Sequence, residues 1–254
     1  MCLLAVLYRI VPGYPIVLAA NRDEQLDRQG AAPAVWEGLC TFCAPKDPRA
    51  GGTWIGCNNY ETVVAITNRR VSSFDQTRRS RGLLCSDVLA AAFPSEAAKV
   101  LRNATIQDRY NGFNLFCAGP TQGFVARYEG RLVFEDLKPG VHVQGNGDLN
   151  DETSWKVRHA RNLLQKVDLN NVSSLITDLK IICADHEAPA SAADALCIHG
   201  EGLATLSSTI IALADNPAKS VYLHAQGSPC TTPYADYSRL LRSILVRAKW
   251  AGND

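Results

Sequence analysis

Apolar residues run almost unbroken through positions 2–10 and again through 16–21. The turn residues Val11-Pro12-Gly13-Tyr14-Pro15 separate them, and the pattern predicts a β-hairpin. Both strands are apolar on both faces, which describes a sheet covered on each side. A second hairpin is predicted from 53–57 and 61–67, joined by Asn58-Asn59-Tyr60. Positions 69–81 hold five arginines and one acid and read as a solvated loop. Helical periodicity follows Gly82, with Leu84, Val88 and Ala91 on one face, and a second short helix is predicted over 95–103. Strands are expected at 113–118, 123–128 and 141–144. Thr153 or Ser154 caps a helix carrying Val157, Ala160 and Leu164, and 172–184 reads as another. Segments 207–214 and 220–224 are β-rich. An amphipathic helix over 237–250 turns Leu240, Leu241, Ile244 and Ala248 inward. No repeat or low-complexity linker interrupts the sequence, so one domain, residues 1–254, is expected, built from two strand-rich blocks separated by helices.

The chain has 254 residues, 46% hydrophobic and 20% charged, with 26 Lys+Arg against 25 Asp+Glu. That apolar content is enough to offset chain entropy, which excludes a disordered protein. A net charge of +1 removes the electrostatic case for nucleic acid as a partner. The longest apolar stretches, 2–8 and 203–214, fall short of the ~20 residues a membrane helix needs. Met1-Cys2 leads directly into a strand-like run without the basic start of a secretory signal. The expectation is a cytoplasmic protein with no membrane span. Nine cysteines in apolar contexts suit reduced, buried thiols better than a disulfide framework. The pair Cys40-Thr41-Phe42-Cys43 lacks the second pair a zinc ribbon requires. Five histidines show neither HxxxH nor HExxH spacing, so no metal site is expected from short-range motifs.

Cys2 is the first candidate for chemistry. Methionine is removed readily ahead of a small residue, so the mature chain is expected to begin with a free α-amine on a cysteine. An α-amine titrates at ~7.7–8.0, far nearer neutrality than a lysine, and can take the proton of its own thiol. One residue then supplies nucleophile and base. If Pro12, Gly13 and Tyr14 form the hairpin loop, Val11 pairs with Pro15, Leu4 falls opposite Arg22 and Cys2 opposite Glu24. Alternation then puts Arg22 and Glu24 on the face of Cys2, and Asn21 and Asp23 on the other. A one-residue slip or a bulge exchanges the two sets. A guanidinium near the thiol favours thiolate, and a carboxylate near the amine orients it and favours its charged form.

Several motifs follow in order: Met1-Cys2, Asn21-Arg22-Asp23-Glu24, Gly51-Gly52-Thr53-Trp54-Ile55-Gly56, Ala65-Ile66-Thr67-Asn68, Ser80-Arg81-Gly82 and Tyr110-Asn111-Gly112-Phe113-Asn114-Leu115. Together they resemble the NRDE family (transport and Golgi organisation protein-like), continuously over about the first half of the chain. The resemblance implies an α+β, four-layer αββα N-terminal-nucleophile hydrolase fold, two mostly antiparallel sheets between helices, with a cysteine nucleophile. The layout is also similar to bile-salt hydrolases, penicillin V acylases and isopenicillin N acyltransferase. By that similarity Asn68 and Asn146 help hold the oxyanion, with Trp155 downstream, and Cys2, Arg22 and Asp23 complete the catalytic set. Asn21, Trp54, Asn111 and Trp155 are the candidate substrate-binding residues. A side-chain amide at a strand end can indeed donate to a developing oxyanion.

One departure stands out. Many family members carry an arginine just before the Ser/Thr stretch of a late strand, and here Thr205-Leu206-Ser207-Ser208-Thr209 offers Leu206. Cys230 reads as a buried loop thiol, and His199 and His224 as edge residues flanking the late strands. The leading expectation is a cysteine amidohydrolase or acyltransferase acting on a small-molecule acyl substrate, an amide or thioester, with no cofactor. NRDE members are also associated with haem handling, and the alternative is a carrier that binds haem or a lipid without turnover. Cysteine and histidine both ligate haem iron, but no motif identifies an axial ligand.

Overall fold

β1 (Leu3–Val11) and β2 (Tyr14–Gln25) form the expected hairpin with a tighter loop. Val11 pairs with Tyr14 across Pro12-Gly13, where proline presets its own φ and Gly13 takes φ +76°. A bulge at Arg9 and Ile10 follows, with Arg9 at φ +55°, so Tyr8 pairs with Ile16 and Leu3 with Asn21. The expected pairing is thereby corrected by two residues: Leu4 stands opposite Ala20, not Arg22. A shift of two keeps the faces, so Asn21 and Asp23 lie with Leu3 and Ala19, and Arg22 with Leu4 and Ala20. The computed structural model describes residues 3–70, 74–189 and 191–251, so the pairing expected for Cys2 lies outside the described residues.

Contacts divide the chain into two units, Met1–Gly30 with Pro139–Tyr237, and Ala31–Lys138 with Ser238–Asp254. The second unit holds β3 (Ala31–Trp36), β4 (Phe42–Lys46), β5 (Ile55–Asn58), β6 (Val63–Asn68), α1 (Arg81–Leu89), α2 (Pro94–Gln107), β7 (Phe113–Ala118), β8 (Gly123–Tyr128) and β9 (Leu132–Asp136). Its seven strands run as a meander in which each pairs antiparallel with the next. α1 buries Leu84, Cys85, Val88 and Leu89 against β5 and β6. Two glycines of the Gly51–Gly56 motif permit that approach. A Cβ on Gly52 would meet the Gly82 carbonyl carbon at 2.1 Å, and one on Gly56 would meet Leu89 Cδ1 at 2.8 Å. The arginine-rich 69–81 segment is tethered rather than merely solvated. Arg78 and Arg81 donate to the Tyr110 and Gly112 carbonyls, Arg79 to Asp87 and the Tyr110 hydroxyl, and Arg69 to Glu129.

The first unit adds β10 (Gly140–Gln144), α3 (Trp155–Leu164), α4 (Val172–Cys183), β11 (Leu203–Leu213), β12 (Val221–Ala225) and β13 (Ala235–Asp236). Its six-stranded sheet has the order β10-β1-β2-β11-β12-β13, antiparallel throughout. The face carrying Leu3, Ala5, Leu7, Val17, Ala19 and Ile210 packs with Val157, Ala160 and Leu164 of α3 and Leu175, Leu179 and Ile182 of α4. The opposite face is also buried, at Leu4, Val6, Tyr8, Leu18, Ala20 and Ile211, as the doubly apolar strands predicted. The last helix, α5 (Ser238–Ala251), belongs to the second unit and buries Leu241 and Ile244. The side chain of Ala248 lies outside the described residues.

Candidate functional site

One end of the six-stranded sheet gathers the candidate chemistry. Leu3 faces Asn21, Leu4 faces Gln144 and Asn21 faces Ser208, so β1 and β11 begin where β2 and β10 end. Asn21-Arg22-Asp23-Glu24 continues β2 as strand. Asn21 Nδ2 donates to the Cys183 and Leu196 carbonyls at 2.8 Å each, fixing the strand to the end of α4 and to the segment that follows.

Asp23 is 2% exposed. Its Oδ1 accepts from the Thr205 hydroxyl at 2.6 Å, and Oδ2 lies 3.6 Å from Lys156 Nζ without a hydrogen bond among the described residues. A bulge in β11 makes this possible. Thr205 pairs with Asp23 and Ser207 with Arg22, leaving Leu206 as the extra residue between them. The bulge turns Thr205 to the Asp23 face and Ser207 to the Arg22 face. Leu206 is thus the unpaired residue of the bulge and is buried there.

Arg22 is 4% exposed; its guanidinium donates to the Arg28 carbonyl at 2.9 Å and lies 3.8 Å from Glu24 Oε2. Buried acceptors crowd this end of the sheet: Asn21 Oδ1, Asp23 Oδ2, Gln144 Oε1 and the Ser207 hydroxyl have no hydrogen-bond partner among the described residues. Such groups are costly unless something donates to them.

Asn146 sits half-buried in the loop after β10, which Gln144 Nε2 braces by donating to the Gly145 and Gly147 carbonyls. Trp155 opens α3 and stacks on His159 at 4.4 Å. Trp54, Asn68 and Asn111 belong to the other unit. Asn68 ends β6 opposite Phe113, Trp54 is buried ahead of β5, and Asn111 spends its amide on the Asp75 backbone, accepting at 3.0 Å and donating at 2.7 Å. Sequence reasoning missed Lys156, Thr205 and Ser207. A lysine in a helix and a Ser/Thr run in a strand carry no motif that marks them as buried partners.

His224 is no edge residue: β12 lies between β11 and β13, and His224 is 1% exposed. Its ring bonds Thr209 Oγ1 at 2.9 Å and Gln226 Oε1 at 3.1 Å. Burial pushes its pKa down to about 4, the Gln226 contact opposing the shift. Below its unfolded value of ~6.5 the unfolded chain takes a proton that the native state refuses, so stability falls as pH drops from there toward 4. We expect the wild type to lose roughly 2 kcal/mol more between pH 7 and 5 than His224→Gln, read from urea midpoints. Equal losses in the two proteins would refute the assignment.

Transport and Golgi organisation 2 describes the family that matches residues 1–233. The chain belongs to that family. The matched region contains every candidate residue named above, and the resemblance read from the sequence is borne out. Within Transport and Golgi organisation 2, the homolog from Mus musculus is 31% identical over 151 residues, 56% of this chain and 54% of the mouse protein. The chain spans about half the length of the curated relatives it matches. Among solved structures, an N-acylethanolamine-hydrolyzing acid amidase ortholog from Caenorhabditis elegans aligns with a TM-score of 0.59 at 14% identity, over 83% of this chain and 92% of that one. Penicillin V acylase from Agrobacterium tumefaciens aligns at 0.56 and 12% identity, over 94% and 88%. At these identities the likeness is one of fold: this Transport and Golgi organisation 2 chain has the expected α+β N-terminal-nucleophile hydrolase fold.

Proposed function

We propose that the protein is an N-terminal-nucleophile cysteine amidohydrolase or acyltransferase. The observation that carries the reading is the buried Asp23. A carboxylate at the sheet end where β1 begins keeps one oxygen open to a donor, and Leu3, which follows Cys2 in the chain, pairs with its near neighbour Asn21. In this reading the Cys2 amine takes the thiol proton and is held, once charged, by Asp23. The thiolate adds to the carbonyl of an amide or thioester, forming a C–S bond. The amine or thiol leaves with the proton returned by the ammonium, and water or an acceptor nucleophile then cleaves the acyl-enzyme. Asn146, in the same unit as Asp23, is the proposed oxyanion donor, worth ~2.7–4 kcal/mol when well placed. Arg22 favours the thiolate.

The other thiols make the nucleophile easy to single out. Burial pushes Cys40, Cys43, Cys57, Cys85, Cys117, Cys183 and Cys197 above the ordinary thiol value, to about 12 at Cys43 and about 11 at Cys183. Cys230 is exposed, against the sequence expectation of a buried thiol. Under limiting iodoacetamide at neutral pH, Cys2 is expected to alkylate ahead of Cys230 and of all seven buried thiols, as peptide mapping reads. With an activated acyl thioester, intact mass should show one acyl group on Cys2 in protein lacking Met1, and Cys2→Ala should lower turnover roughly 10⁴-fold. Retained Met1 with full turnover would exclude the amine as base. Absent any acyl adduct, hemin binding that Cys2→Ala abolishes would replace this reading with the carrier.

A further inference from the structure

Four ligating side chains that no sequence motif joins meet beside the six-stranded sheet. His186 follows α4, Cys197 and His199 precede β11, and Cys230 lies between β12 and β13. One ligand atom from each lies within 4.8 Å of all the others. Cys197 Sγ is 3.7 Å from Cys230 Sγ and 3.9 Å from His199 Nε2, which is itself 3.1 Å from Cys230 Sγ. A tetrahedral zinc-class ion, ~2.3 Å from sulfur and ~2.05 Å from nitrogen, sets S···S edges of ~3.8 Å and S···N edges of ~3.6 Å. The observed S···S spacing matches its edge and the two S···N spacings bracket theirs.

The supporting contacts point the same way. His186 Nδ1 lies 3.0 Å from the Cys197 carbonyl. A carbonyl only accepts, so Nδ1 carries the proton and the lone pair sits on Nε2. A backbone hydrogen bond of this kind is the usual outer support of a metal-binding histidine. Two thiolates and two imidazoles form a soft, charge-compensating donor set suited to zinc.

We propose that His186, Cys197, His199 and Cys230 bind one zinc-class cation in a closed, structural site. The ion ties the segment after α4 to the loop after β12. Both are already hydrogen-bonded to Thr205: the Ile198 N–H donates to its hydroxyl at 2.9 Å and the Ser228 hydroxyl to its carbonyl at 2.8 Å. Thr205 is the residue that holds Asp23. The cation therefore fixes the frame around the candidate nucleophile's partner without touching substrate.

Co²⁺ titration of the full chain, reduced and freed of metal by chelation, tests the site. We expect one Co²⁺ per chain, with thiolate charge-transfer bands and the intense visible bands of a tetrahedral ion, displaced by Zn²⁺. Cys230→Ser and His199→Ala, both at exposed positions that fold without the side chain, should each weaken binding at least ~100-fold. Cys2→Ala should retain the spectrum, which separates the site from chelation at the chain start. A wild type without tetrahedral bands, or bands that survive Cys230→Ser, overturns the proposal. So does a Cys197–Cys230 disulfide in isolated protein that takes up no metal after reduction.

Discussion

Gly52→Ala is expected to destabilise the protein by roughly 4 kcal/mol. The added carbon would lie 2.1 Å from Gly82 C, 2.3 Å from Gly82 O and 2.4 Å from Leu83 N. These are backbone atoms of the first turn of α1, not the flexible end of a side chain, so relief requires moving the helix. The helix is held at that point: Thr53 N–H donates to the Gly82 carbonyl at 3.1 Å, and the Ser80 side chain caps the turn through Gly82 N–H. Shifting α1 also disturbs Leu84 and Val88, which are fully buried. The loss of unfolded-chain freedom returns only ~0.4–1 kcal/mol. Gly130→Ala is the comparison, because Gly130 has φ +82° but nothing within 4 Å of the new carbon, and strain alone costs about 1 kcal/mol. Urea denaturation of both variants checks this. Gly52→Ala unfolding within 1 kcal/mol of Gly130→Ala would mean that the close approach is not rigid.

Asp23→Asn is expected to lower stability by about 3 kcal/mol and to lower turnover further than that loss of fold explains. Asparagine keeps the shape and the acceptor for Thr205, so the change isolates the charge. Lys156 is 8% exposed, and its ammonium at 3.6 Å would remain buried without a counter-charge. Adding Lys156→Met removes that ammonium and should recover about 2 kcal/mol, a coupling well above the ~0.3–0.5 kcal/mol scatter of independent sites. Turnover should stay low in the stabilised double variant, since an ammonium at the chain start would still lack its carboxylate. Stability recovered together with activity would make Asp23 a structural partner of Lys156 alone.

The strands that define the fold were legible where apolar residues run on both faces, as in β1, β7 and β11. β3 and β9 were not. They are the outer strands of the meander, half-exposed, and one contains Pro33, so neither alternation nor an apolar run marks them. The hairpin register was off by two, one residue from the tighter Pro12-Gly13 loop and one from the bulge where Arg9 adopts φ +55°, which no residue pattern announces. The candidate site was legible only in part. Nothing in Asn21-Arg22-Asp23-Glu24 marks it as buried, because charged residues in a strand normally face water, whereas here Asp23 accepts from Thr205 and lies near Lys156, and Arg22 lies near Glu24. The His–Cys cluster was invisible because Cys230 lies far in sequence from the other three ligands, and short-range spacing cannot report a meeting made by the sheet.

The two sheets differ in how far the chain must travel to close them. Every neighbour in the seven-stranded meander is also the next strand in sequence, the longest connection being the one from Asn68 to Phe113 that carries α1 and α2, and all of its strands exist once Asp136 has been made. In the other sheet β1 must find β10, and β2 must find β11, which begins at Leu203. Each doubling of loop length adds only roughly 0.6 kcal/mol, but the search is slow, and distant pairings come late. During synthesis β2 leaves the ribosome with Arg22 and Asp23 uncovered, long before Thr205 and Lys156 exist to receive them. A nascent chain therefore holds all seven strands of one sheet while the other still waits for β10 to β13, and the Asp23 side chain meets its hydroxyl partner only after Thr205 has been made.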